Sequence, residues 1–76
     1  MSEKIPRITA KQIIPVLEKL GFVFSRQSGS HKIYKRFDGR RATVPVHSAK
    51  VLHPKILKSI IKDADITVED LRRFLK

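Results

Sequence analysis

The sequence predicts an α+β fold, with a three-stranded antiparallel sheet, two main helices packed on one of its faces (order α-β-β-β-α), and a short helix at the C-terminal end. Three observations predict it. Apolar residues recur at helical spacing towards both ends of the chain, at Ile13, Val16, Leu17 and Leu20, and again at Ile56, Leu57, Ile60, Ile61 and Ala64. Between these stripes, residues 22–46 hold three runs of strand-forming residues. Inside that region Asp38-Gly39 is a two-residue hairpin signal. One domain is expected over residues 1–76, with residues 1–8 as a polar N-terminal segment.

Each element has its own local reason. Thr9 and Gln12 form a capping-box pattern with Ile8 and Ile13 as the hydrophobic staple around it, so the first helix should start there. Gly21 is placed to end it in a left-handed conformation. Pro15 falls inside, where it lacks a donor and crowds the preceding turn, and it predicts a kink or a later start. Phe22 to Ser25 reads as the first strand, followed by a turn through Gln27-Ser28-Gly29. His31 to Phe37 reads as the second strand and Arg41 to Val46 as the third. With Asp38 and Gly39 as the two loop residues of a type I′ turn, Phe37 faces Arg40. Counting outward then pairs Lys35 with Ala42, Ile33 with Val44 and His31 with Val46. This register gives Ile33, Ala42, Val44 and Val46 to the core. It leaves Lys32, Tyr34, Arg36, Arg41 and Thr43 on a basic solvent face, with His31 on the Ile33 side at the strand's end. His53-Pro54 suits the start of the second main helix, proline at its first position. Lys55, Lys58 and Lys62 lie opposite its apolar stripe. Thr67 with Asp70 opens the short last helix, which carries Val68, Leu71, Phe74 and Leu75.

Composition narrows the function. Seventeen Lys and Arg against seven Asp and Glu leave a net charge of +10, a field suited to collecting polyanions, and nucleic acid is the default partner. There is no cysteine, which excludes disulfides and thiolate metal sites and fits a reducing compartment. Met1 to Pro6 lacks the apolar segment of a secretory signal and the apolar runs are short, so a cytoplasmic protein with no membrane partner is expected.

The side chains that carry chemistry are few. The carboxylates Glu3, Glu18, Asp38, Asp63, Asp65, Glu69 and Asp70 are scattered, without the clustering that holds Mg²⁺ at a phosphate. His47 and His53 have no third matched zinc ligand. Gly29 lacks the glycine spacing of a nucleotide-cradling loop, and the adjacent Ser30 and His31 point to opposite faces of a strand rather than forming a couple. No cofactor and no metal are expected. Metal-free RNA cleavage remains. It needs a base for the 2′-hydroxyl proton, a donor for the leaving 5′-oxygen, and cations for charge developing on the phosphate. Histidine is the residue type suited to proton transfer near neutrality, and His31 is the candidate for that role. Arg26, Lys32, Lys35, Arg36 and Arg41 can bind phosphate, and Gly29-Ser30 lets a backbone approach closely. His47 lies near His31 in the expected register and is the candidate second acid or base. On the residues alone, a His31 that simply packs at a strand edge stays open.

Several segments in order resemble one family. These are Gly21-Phe22, Gly29-Ser30-His31, Asp38-Gly39-Arg40-Arg41, Val44-Pro45-Val46-His47, Leu57-Lys58-Ser59-Ile60-Ile61-Lys62-Asp63-Ala64 and Thr67-Val68-Glu69-Asp70-Leu71. Together they are similar to the HicA (YcfA-like) mRNA interferase toxins, over residues 9–75. The resemblance implies a double-stranded-RNA-binding-domain-like fold, endoribonucleolytic cleavage of mRNA, and neutralisation by a HicB-type antitoxin that covers the active site. It implies His31 as the catalytic histidine, with Gly29 and Ser30 shaping its motif. The chain departs from the family pattern at Leu52-His53-Pro54-Lys55, where a glycine-containing turn is usual. The alternative expectation is a non-catalytic RNA-binding module of the same fold, reading duplex through phosphates and 2′-hydroxyls.

Overall fold

In a computed structural model, which describes residues 5–46 and 50–75, the first helix, α1, spans Ala10–Lys19. Its start is the expected capping box, in which Gln12 Oε1 accepts from the Thr9 backbone N–H at 2.9 Å. Gly21, at φ 95°, ends it in a Schellman motif: Gly21 N–H donates to the Glu18 carbonyl at 3.1 Å and Phe22 N–H to the Leu17 carbonyl at 3.0 Å. The helix starts at Ala10 and runs unbroken through Pro15. Lys11 and Pro15 are both exposed, so water can reach the carbonyl that proline leaves without its helical donor.

Three strands follow, β1 (Val23–Ser28), β2 (His31–Lys35) and β3 (Arg41–Pro45), in one antiparallel sheet of order β1-β2-β3. The first turn is tighter than expected. Ser28 pairs with His31, so Gly29 and Ser30 alone form the loop. Gly29 has φ 58° while Ser30 has no positive φ, the signature of a type II′ turn.

The second turn is where the expected register fails. The loop has three residues, Phe37-Asp38-Gly39: Gly39 N–H donates to the Arg36 carbonyl at 3.0 Å, and Arg36 N–H to the Arg40 carbonyl at 2.9 Å. Only Gly39, at φ 90°, takes a positive φ. That is a type I turn followed by a glycine bulge rather than a type I′ turn, because Asp38 stays in ordinary backbone space and uses its carboxylate as an acceptor for Arg40 N–H at 3.2 Å. One extra loop residue shifts the pairing by one, to Tyr34 with Ala42, Ile33 with Thr43 and His31 with Pro45. A one-residue shift turns the side chains of β2 over with respect to β3. Tyr34, expected in solvent, is therefore buried beside Ala42 and Val44, while Ile33, Thr43, Lys35 and Arg41 share the other face.

The helix α2 spans Pro54–Ala64 and α3 spans Val68–Leu75. His53 caps α2, its Nδ1 accepting from Lys55 N–H at 3.1 Å, with proline in the first turn as expected. Thr67 and Asp70 cap α3 reciprocally at 3.0 and 3.1 Å. Ile13, Val16 and Leu17 of α1, Leu57, Ile60, Ile61 and Ala64 of α2, and Leu71 of α3 bury against Tyr34, Ala42 and Val44 in one core. Ile56, expected in the buried stripe of α2, is instead partly exposed. Both main helices thus cover the Tyr34 face of the sheet, and the opposite face is left open.

Candidate functional site

The open face is set by alternation along each strand. From β1 it carries Val23, Arg26 and Ser28, from β2 His31, Ile33 and Lys35, and from β3 Arg41, Thr43 and Pro45. Arg26 reaches this face because of a β-bulge. Phe24 pairs with Tyr34 but Arg26 with Ile33, so Ser25 is the extra residue that re-aims the rest of the strand. Ile33 is 8% exposed and lies outside the helix-side core, an apolar centre with polar groups around it. Arg26, Ser28, His31, Lys35, Arg41 and Thr43 are exposed.

His31 is the first residue of β2 and follows the type II′ turn directly. The turn is clamped from both sides. Gln27 Nε2 donates to the Gly29 carbonyl at 3.0 Å, and Val46 N–H donates to the Ser30 carbonyl at 2.6 Å. The backbone at His31 is therefore fixed while its imidazole is exposed and, among the described residues, unpartnered. A fixed stem with a free ring suits a proton-transfer group, which must meet its substrate without first breaking an internal bond. Gly29 has open space around it, so its requirement is the positive φ and not a close contact.

Charge is segregated around this face. No residue of the three strands is acidic. Arg26, Lys35 and Arg41 form no ion pair among the described residues, whereas Asp38, Asp65, Glu69 and Asp70 are tied to Arg36, Arg40 and Arg73 at the turns and on α3. A low-acid, water-facing sheet with unpaired cations attracts anions over its whole area.

The register correction redistributes the expected phosphate ligands. Lys32 pairs with Val44 on the helix side, away from Lys35 and Arg41. Arg36 is used by the fold: its guanidinium lies 5.0 Å over the Phe22 ring, binds Asp38 at 2.8 and 3.1 Å, and donates to the Leu20 carbonyl at 3.4 Å. Those bonds from Arg36, with Arg40 N–H, hold the Asp38 carboxyl down at about 2. Burial, and secondarily the Glu18 carboxylate, raises the Tyr34 phenol, which belongs to the core and not to the site. His47, the expected second acid or base, lies outside the described residues.

Sequence reasoning missed two features that build this face. The bulge at Ser25 has no clear signature in Phe24-Ser25-Arg26. The three-residue turn did have one, since pairing Tyr34 with Ala42 gives the tyrosine a buried neighbourhood, as its size favours.

Fold and face together define a basic α+β domain whose open sheet surface, without acidic residues among the described ones, presents the exposed His31 among cations. The family described as HicA toxin of bacterial toxin-antitoxin matches residues 10–66, three-quarters of the chain. The chain belongs to the HicA toxin family, the toxin side of a toxin–antitoxin pair, and the family implies an antitoxin as partner. Among curated proteins none matches it. No helix among the described residues is long and apolar enough to cross a membrane.

Proposed function

We propose that this HicA-family chain is an mRNA interferase, a cytoplasmic endoribonuclease that cleaves mRNA without a metal and is held inactive by a HicB-type antitoxin covering the open face. The observation that carries the reading is the exposed imidazole of His31 at the end of an acid-free sheet face bearing Arg26, Lys35 and Arg41. The cations bind the phosphates on either side of the scissile bond and offset the extra negative charge of the phosphorane. Neutral His31 takes the 2′-hydroxyl proton as that oxygen attacks phosphorus, or, protonated, donates to the leaving 5′-oxygen. Gly29 and Ser30 shape the turn that fixes where the imidazole stands. His47 is the proposed complementary acid or base.

The test is cleavage of a defined mRNA by purified protein in EDTA, wild type beside His31→Ala. Cleavage by the wild type alone is expected, with RNA binding nearly equal in the two proteins. Cutting by His31→Ala at the wild-type rate would overturn the mechanism. Binding without cutting by either protein would favour the non-catalytic RNA-binding module.

A further inference from the structure

Phe37 stands at the tip of the β2–β3 hairpin and is 96% exposed, far more than Phe24 at 53% or Val23 at 65%. The turn itself does not need it. The second position of a type I turn accepts most residue types, and a polar one would avoid a bare ring in water. Beneath the ring, however, the turn is braced by several bonds at once. Arg36 and Arg40 both hold Asp38. Arg36 is pinned to Phe22 and the Leu20 carbonyl, and Arg40 reaches the Asp63 carbonyl at 3.3 Å and Asp65 at 3.5 Å at the end of α2. The ring is thus carried on a rigid mount, which lowers the ordering cost of any contact it makes.

The mount also stands at one end of the cationic face. Along β2 the open face runs from His31 past Ile33 to Lys35, which pairs with Arg41 as the last rung before the loop. Beyond that rung comes Phe37. The six residue steps from His31 to Phe37, four of them within β2, span at most roughly 20 Å. A single strand stacked at about 3.4 Å per nucleotide covers that distance in about six nucleotides. We infer that Phe37 is a stacking platform for an unpaired nucleobase of the RNA, about five or six nucleotides from the phosphate at His31, and that it helps to set where cleavage falls. Every base presents a π-face, and an aromatic ring binds one without needing a particular hydrogen-bond pattern.

This inference rests on the RNA reading above, and binding rather than cleavage tests it. The probe is a short, fluorescently labelled single-stranded RNA of mixed sequence, bound by the His31→Ala protein with and without a change at position 37. Phe37→Ala should weaken binding about 5- to 150-fold, as loss of one base–aromatic stack does, and leave the urea unfolding midpoint unmoved. Phe37→Trp should retain the affinity, and Phe37→Leu, apolar but without a π-face, should lose it as alanine does. Removing bases from the RNA one at a time should reveal one position whose loss matters for the parent and no longer matters for Phe37→Ala. Equal RNA affinity of Phe37→Ala and the parent overturns the inference and leaves the nuclease reading standing, as does full affinity of Phe37→Leu. Loss of antitoxin binding alone would assign the ring to the protein interface instead. Failure of the parent to bind RNA at all would overturn both readings together.

Discussion

Removing the three unpaired cations of the open face should change the salt dependence of RNA binding by a calculable amount. Arg26, Lys35 and Arg41 each project from the face that carries His31, and none is held by a carboxylate among the described residues. If each meets one phosphate of a single strand, the slope of log affinity against log salt is shallower by about 0.7 for each one lost, or about 2.1 for all three. From roughly 50 to 200 mM salt the wild-type advantage over the triple alanine variant then shrinks about 18-fold, the fourfold rise in salt raised to that power. Fluorescence anisotropy of a labelled single-stranded RNA, titrated at several salt concentrations, reads both slopes directly. Lys32→Ala is the internal control, because the pairing with Val44 puts Lys32 on the helix side. Its slope should match that of wild type. An unchanged slope in the triple variant would refute the assignment of the face, and a Lys32→Ala slope as shallow as that of Lys35→Ala would refute the register that separates them.

Two further predictions probe the turn and the core beneath it. Tyr34→Ala should cost about 3 kcal/mol in urea unfolding, the lower end for deleting a buried aromatic, since Tyr34 is 3% exposed and packs edge-on to Phe24 at 5.8 Å; a near-neutral result would restore the register in which it faces water. Acid should weaken the fold through Asp38. Its folded-state pKa of about 2 lies below the ordinary carboxylate value, so its stabilisation is complete above about pH 4 and is lost as pH falls through 2. Asp70, lowered chiefly by its bonds with Thr67, acts in the same direction. The unfolding midpoint should therefore fall between about pH 4 and about pH 2, and Asp38→Asn should flatten part of that fall; a midpoint in the variant with undiminished pH dependence would contradict the bracing role of Asp38.

Helix ends were the most legible part of the chain. Thr9 with Gln12, Gly21, His53-Pro54 and Thr67 with Asp70 all act through bonds between near neighbours, and all formed as the local chemistry predicts. The strands were legible in number and order but not in register. Phe37-Asp38-Gly39-Arg40 supports a two-residue and a three-residue loop about equally, and the choice is made by what each does to side chains far from the turn. Pairing Tyr34 with Ala42 takes the large aromatic ring out of water beside Ala42 and Val44, and in the longer loop Arg36 lies over Phe22 and binds Asp38. The place of His31 directly after its turn does not depend on that register, because Gly29 fixes the turn locally. Its expected company does depend on it: Lys32 and Arg36 leave the face, while Arg26, Lys35 and Arg41, expected beside them, are on it.

That division of the cations explains how so basic a chain can fold and still keep cations for a ligand. Its carboxylates are too few to neutralise its cations, so where they are placed decides which cations the fold consumes. Those that form ion pairs among the described residues, Asp38, Asp65, Glu69 and Asp70, sit at the hairpin tip, at the end of α2 and on α3, where they hold arginines whose planar guanidinium serves several acceptors at once: Arg36 stacks, pairs and donates to a carbonyl, and Arg40 joins the hairpin to the last turn of α2. A lysine ammonium could not lie flat on Phe22 while making a two-point contact with Asp38. The strands hold no acid, so the cations of the open face have nothing within the sheet to pair with and keep their hydration until a polyanion displaces it. The cost of holding them unpaired is repulsion within the free toxin, and an antitoxin that laid acidic side chains on this face would relieve that repulsion at the moment it covered His31.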